Sequence, residues 1–246
     1  MAEGRPLDDV LAGASVDRDV FLLRPDYRAM LVAVDGLTPG RGDEASDTLL
    51  RAAEAAARVA LDGTAVEEVP HVAAWREAYR AFGAKPQRTR NSLEALLRRA
   101  GDGLPRLNPL TDIYNAVSVL HQVPVGGEDL ARYTGYPRLV RATGAEPFDT
   151  AAAGAPVVEH PDAGEVVWCD DAGVTCRRWN WRQARRTQLR EDTTSALFII
   201  DALDPMTTEA LQAATDDLVT HLSLLGPEVR VARRLLAADA IASGGH

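Results

Sequence analysis

The chain has 246 residues, 46% of them hydrophobic and 26% charged, which places it with folded globular proteins and excludes a disordered or fibrous class. Its net charge of −9, from 27 basic and 36 acidic residues, excludes wholesale coating of DNA or a membrane surface and leaves room only for a local basic patch. No uninterrupted apolar run reaches membrane-spanning length, and the N-terminus MAEGRPLDDV lacks the basic flank and apolar core of a leader, so the expected compartment is the cytoplasm.

The segment RAMLVAV, ending at Val34, is apolar and bounded by the turn signal DGLTPGRGD, which predicts a buried strand. Residues 43–61 place Leu49, Leu50, Ala53, Ala57 and Leu61 near helical spacing on an alanine-rich background. A second helix is predicted over 71–83, with Val72, Trp75, Tyr79 and Phe82 on one face and Gly83 as its stop. A third spans 91–101, where Asn91 and Glu94 have capping-box spacing. The connector AKPQRTR between them reads as a solvated basic turn.

The stretch NPLTDIYNAVSVLHQVPVGGEDL reads as a cap at Asn108, a first helical residue at Pro109, an amphipathic helix and a Gly-rich exit. Asp112, Asn115, Ser118 and His121 recur at spacings of three, a polar row that can form one wall of a site. Against this stands the ordinary reading, in which Asp112 favours the helix dipole and the others face water.

Further on, RLVRA, APVVE, EVVWCD, VTCRRW and ALFIIDAL alternate with Gly, Pro and Asp clusters and predict the strands of a mixed sheet. Cys169 and Cys176 flank the turn DDAG and are expected to be reduced thiols on a hairpin. The segment CRRWNWRQARRTQLRED packs Arg177, Arg178, Arg182, Arg185 and Arg186 around Trp179 and Trp181, a combination that can contact phosphates and stack bases. Its alternative is a hairpin whose arginines pair with Asp170, Asp171, Glu191 and Asp192. Strand alternation would set Trp179 and Trp181 on one face, with Asn180 and Arg182 on the other. Residues 207–226 predict a closing helix striped by Leu211, Ala214, Leu218, His221 and Leu225, followed by a frayed tail, IASGGH. No named catalytic motif appears, and no set of histidines or cysteines has metal-ligand spacing, so neither a metal nor another cofactor is expected.

Three stretches together resemble the freestanding B3/B4 domain family: WREAYRAFGAKPQRTRNSLEALLRR, NPLTDIYNAVSVLHQVPVGGEDL and GEVVWCDDAGVTCRRWNWRQARRTQLREDTTSALFIIDAL. The family is similar to the editing domain of the phenylalanyl-tRNA synthetase beta subunit. The resemblance spans roughly 20–226, leaving 1–19 as an N-terminal extension and 227–246 as a C-terminal segment. It implies a single compact α+β domain, with a mixed central sheet from the second half covered by helices from the first.

It also implies deacylation of mischarged aminoacyl-tRNA, with the aminoacylated 3′ end as partner, no cofactor, and a water attacking the ester without a nucleophilic triad. In that scheme Asp112 and Asn115 are the catalytic pair, and Ser118 and His121 support them. Asn108, Trp179, Asn180, Trp181 and Thr187 belong to the substrate site. Arg177, Arg178, Arg182, Arg185 and Arg186 hold the RNA. Gly126 stands where the synthetase domain has a histidine, and TCRRWNWRQARRT stands where it has close-approach glycines and a tyrosine-reading glutamate. The lining expected here therefore suits a smaller or more polar amino acid than tyrosine. Rival readings are a non-catalytic amino-acid-binding or tRNA-binding module and a protein-interaction domain anchored by Trp179 and Trp181.

Overall fold

A computed structural model describes residues 5–38, 40 and 44–238. In chain order these form α1 (Leu7–Ala12), β1 (Ser15–Val16), α2 (Arg18–Leu23), β2 (Arg28–Asp35), α3 (Glu44–Ala60), α4 (Pro70–Ala81), α5 (Ser92–Arg99) and α6 (Pro109–Leu120). There follow β3 (Val125–Asp129), β4 (Arg138–Arg141), β5 (Phe148–Ala152), β6 (Ala155–Glu159), β7 (Val166–Asp170), β8 (Gly173–Arg177) and β9 (Arg182–Gln183). The chain closes with β10 (Ser195–Ala202), α7 (Thr208–Leu222) and β11 (Arg230–Ala237). The fold is α+β.

Among the described residues the strands build two larger sheets and one small one. An antiparallel sheet has the order β11-β2-β10-β3, and a mixed sheet has the order β1-β4-β7-β8-β9, with β1 and β4 parallel; β5 and β6 form a separate hairpin. The antiparallel sheet is buried on both faces, which explains why RAMLVAV reads as a continuous apolar run rather than an alternating one. Along β2, Ala29, Leu31 and Ala33 face a core shared with Trp75, Tyr79, Trp168 and Trp179, while Met30, Val32 and Val34 face α6 and α7 through Ile113, Val117, Leu211 and Leu218. A third core joins α3, α4, α5 and α6 through Leu50, Ala53, Val72, Leu93, Leu97 and Ala116.

Several local expectations are refined. Asn91 caps α5 by accepting the Glu94 N–H at 2.9 Å, but the Glu94 carboxylate does not return the bond; it pairs with Arg76 at 2.7 Å. The Gly-rich exit is β3, paired with β10. Gly127 is required there, because a Cβ would meet Leu189 Cδ1 at 2.7 Å and the Phe198 ring at 2.9 Å. Residues outside 20–226 join the same body: Leu11, Ala14 and Val16 are in the first core, and β11 pairs along the whole of β2. The edge strand β11 escapes a periodicity search because RVARRLLA carries three arginines and is only half covered. The predicted frayed tail, 241–246, lies outside the described residues. Cys169 and Cys176 are free, buried thiols on the β7–β8 hairpin.

Candidate functional site

Helix α6 is not amphipathic in the ordinary sense: nearly every residue from Pro109 to Val119 is buried, since the helix is packed between two cores. Polar side chains in such a helix must find partners inside the protein. A spacing of three also drifts by about 60° per step on a 3.6-residue helix, so a row of four ends on the opposite side from where it began. The structure shows the consequence.

The Asp112 Oδ1 accepts the Leu107 N–H at 2.8 Å, and burial raises its pKa from the ordinary value. Asn108 is the N-cap, its Oδ1 accepting the Thr111 N–H at 3.0 Å. The Ser118 hydroxyl donates to the Val123 carbonyl at 2.6 Å, and His121, ending the helix, meets Asp217 of α7 at 2.9 Å. These four residues hold the helix in place and do not line a common wall. Asn115 is different. It is buried, and its amide has no hydrogen-bond partner among the described residues; it opens into a cavity.

That cavity, of about 240 Å³, lies between α5, α6, β3, β10 and the β8–β9 hairpin. It is smaller than the ~300–1,000 Å³ of sites for drug-sized molecules, and suits a group of amino-acid size. Its walls include Tyr114, Asn115, Trp168, Trp179, Asn180 and Trp181. Gly126 also lines it; an added Cβ there would meet only Gln183 Nε2, at 3.4 Å, so the missing side chain leaves room in the cavity. At the rim is the exposed Arg99, which has no ion-pair partner among the described residues.

The hairpin supplies its residues through a turn, not through strand alternation. Strand β8 ends at Arg177 and β9 begins at Arg182; Arg178 and Trp179 take positive φ angles of 47° and 69°. Such angles are uncommon for bulky side chains and persist only where surroundings enforce them. Trp179 is fixed by edge-on contacts with Tyr27 and Trp75, centroids 5.0 and 5.2 Å away, and by its N–H to the Val166 carbonyl at 2.7 Å. The twist breaks the two-face pattern and brings Trp179, Asn180 and Trp181 to one cavity together.

Two cavity residues escape a motif search: Glu128 on β3 and Asp201 on β10. Both are buried, and neither forms an ion pair among the described residues. Burial pushes the Glu128 carboxyl up to about 7, a rise opposed by the Tyr133 hydroxyl that donates to it. Burial likewise pushes Asp201 up to about 7, against hydrogen bonds from the Tyr27 hydroxyl at 2.6 Å and the Asn180 amide at 3.3 Å. A charged residue inside the apolar run ALFIIDAL was the legible signal for Asp201. Leu197 pairs with Glu128 and Ile199 with Gly126, so the two carboxylates share a sheet face, four β10 positions apart. At ~3.4 Å per residue this sets their backbones on the order of 13 Å apart along the strands, at the two ends of the cavity.

The arginines are largely engaged. Arg177 is buried in a fork with Glu165, at 2.9 and 2.7 Å, and reaches Glu159 at 3.2 Å. Arg178 contacts Glu165 and Thr89 and lies over the Trp181 ring at 4.7 Å. Arg186 forks onto Asp170 at 2.7 and 2.9 Å, and Arg185 is 3.5 Å from Asp149. Arg182 donates to the Ala151 carbonyl at 3.2 Å. Of the anticipated acidic partners Asp170 holds Arg186; Glu165 and Glu159 hold Arg177, Glu165 and Asp162 hold Arg178, and Asp149 holds Arg185. None of the five arginines lines the cavity, and Thr187 is fully buried away from it. Among the described residues no group of three or more His, Cys, Asp or Glu could hold a metal ion, and no helix is long and apolar enough to cross a membrane.

The model of the B3/4 domain matches residues 74–221, more than half of the chain. The chain belongs to the B3/4 domain family. The matched B3/4 segment runs from within α4 to the end of α7 and contains every cavity residue named above. Among solved structures, the chain is similar to an N-terminal fragment of the phenylalanyl-tRNA synthetase beta-subunit from Pyrococcus horikoshii, at 13% identity and a TM-score of 0.43. That alignment covers 89% of this B3/4 protein and 49% of the synthetase fragment, so the chain spans about half of the fragment's length. No curated protein matches.

Proposed function

We propose that the cavity receives the aminoacyl group of a mischarged aminoacyl-tRNA and that the protein hydrolyses the ester at the terminal ribose. The observation that carries this reading is Asn115, whose side-chain amide has no hydrogen-bond partner among the described residues and stays open to a cavity of amino-acid size. An amide that keeps its donor and acceptor free of protein partners on a cavity wall has them available for a ligand.

In this scheme the Asn115 amide donates to the ester carbonyl as negative charge develops on its oxygen. Glu128, titrating near neutrality, has the proton affinity to take a proton from the attacking water. The water oxygen bonds to the carbonyl carbon, the bond from that carbon to the ribose oxygen breaks, and the proton passes to the leaving ribose hydroxyl. Arg99 at the rim faces the terminal nucleotide. Asp112 acts at one remove, by fixing the start of α6.

The test is deacylation of a panel of mischarged tRNAs by the purified protein beside Asn115→Ala. Selective loss of one ester, slowed about 100-fold by the substitution, is expected from the loss of a carbonyl donor. A panel with no ester cleaved above background defeats the catalytic claim. The paired state of the arginines favours a second reading, an amino-acid-binding module without tRNA. For that module the ligand affinity changes only modestly with salt, whereas tRNA binding weakens steeply.

A further inference from the structure

The two ends of the cavity carry opposite charge. At the mouth is Arg99, exposed and without an ion-pair partner among the described residues; at the far end is Asp201, buried, with the neutral donors Tyr27, Asn180 and Trp168 about its oxygens and no cation among the described residues. Trp168, Trp179 and Trp181 are among the residues that line the cavity between them. A carboxylate buried without a cation is costly, and neutral hydrogen bonds leave its charge uncompensated. Indole rings favour an ammonium through their π-systems more than any other side chain does. Asn115, unpartnered on the same lining, gives an independent sign that a ligand completes the site.

Resting on the reading of this cavity as an amino-acid site, we infer that its substrate is a basic amino acid, whose side-chain ammonium sits against Asp201 among the indoles while its carboxyl end lies toward Arg99. Asp201 is then the specificity-determining residue, at the opposite end from Glu128. An amino acid with an apolar side chain of the same length leaves Asp201 desolvated and unpaired, which is the usual physical basis of rejection by a polar subsite. A tyrosine hydroxyl would add one more neutral donor and no neutralising charge.

Three of the chain's four tryptophans line the cavity, so intrinsic fluorescence reports its occupancy. The experiment titrates the full-length protein with L-lysine, L-norleucine, L-tyrosine and lysine methyl ester, and repeats the first two on Asp201→Asn. Lysine and its methyl ester are expected to bind at least about 10-fold more tightly than norleucine, with this ratio falling towards one in the variant while norleucine affinity holds. Norleucine or tyrosine binding as tightly as lysine overturns the inference, as does a lysine preference that survives in Asp201→Asn. The comparison on the unsubstituted protein decides the matter even if the variant does not fold. Lysine selectivity without turnover of any ester would keep this inference and remove the hydrolase; no binding by any of the four ligands would remove both this inference and the amino-acid reading.

Discussion

Glu165 and Asp201 are both almost fully buried, and both stand beside the β8–β9 hairpin, yet their surroundings are opposite. Glu165 is gripped by Arg177 and touched by Arg178, and lies away from the cavity; Asp201 has no cation among the described residues and faces it. A buried carboxylate clasped by guanidinium groups is part of the frame, and removing it strands a charge. A buried carboxylate left without a counter-ion beside a cavity is a place for something from outside. The same contrast separates Asn91, whose amide caps α5, from Asn115, whose amide has no hydrogen-bond partner among the described residues.

The sharpest way to break the comparison is Glu165→Ala, which leaves Arg177 buried without its main partner. A loss of about 3–5 kcal/mol in a denaturant titration is expected; a loss below about 1 kcal/mol would show that the fork is not structural. Asp201→Asn should do the reverse at high pH. The folded pKa of Asp201 is raised to about 7 from 3.8, so the destabilisation it causes is absent below pH 4, grows through pH 7 and is constant above. The variant should be more stable than the parent at pH 8, by on the order of 3 kcal/mol, and show no such gain at pH 4.

His71 provides the opposite sign. Its Nδ1–H donates to the Gln122 carbonyl at 2.8 Å and its Nε2 accepts the Leu203 N–H at 3.1 Å, and burial lowers its pKa from 6.5 to about 4. The unfolded chain binds the proton first, so the stability that neutral His71 contributes is present above pH 6.5 and is lost as pH falls towards 4. The advantage of the parent over His71→Gln should shrink across that window, by on the order of 3 kcal/mol. The smallest effect separates the two asparagines: Asn91→Ala should cost about 1 kcal/mol as a lost cap. Asn115→Ala should stay within about 0.5 kcal/mol of the parent while lowering deacylation.

These contrasts also explain what the sequence revealed. Helices α3, α4, α5, α6 and α7 were legible because their apolar spacing and caps are local properties, and β2 and β10 because their runs are continuously apolar. Strand β3 was not, since its two glycines serve packing against Leu189 and Phe198 and the cavity beside Gln183, contacts 56 or more positions away in the chain. Asn115, Trp179, Asn180 and Trp181, which the B3/B4 resemblance implies as site residues, line one cavity. Their neighbours Asp112, Ser118 and His121 were grouped with Asn115 because a spacing of three looks like a face on paper and drifts around a real helix. Glu128 and Asp201 carry no motif; only the pairing of β3 with β10 sets them at the two ends of one cavity. The arginine cluster was conspicuous in sequence, but its partners Glu165, Glu159 and Asp149 come from strands and loops whose approach no local pattern announces.

Glu128 and Asp201 are buried without counter-ions among the described residues, a state that leaves the cavity open to a ligand. Carboxyl ¹³C NMR titration of the protein, with Glu128→Gln and Asp201→Asn used to assign the resonances, tests it most directly. Two carboxyl groups with midpoints near pH 7 are expected, one disappearing in each variant, and the Asp201 midpoint moving to lower pH when lysine binds. Midpoints for both groups in the ordinary range near pH 4 would contradict it, because the two carboxylates would then already be solvated or paired.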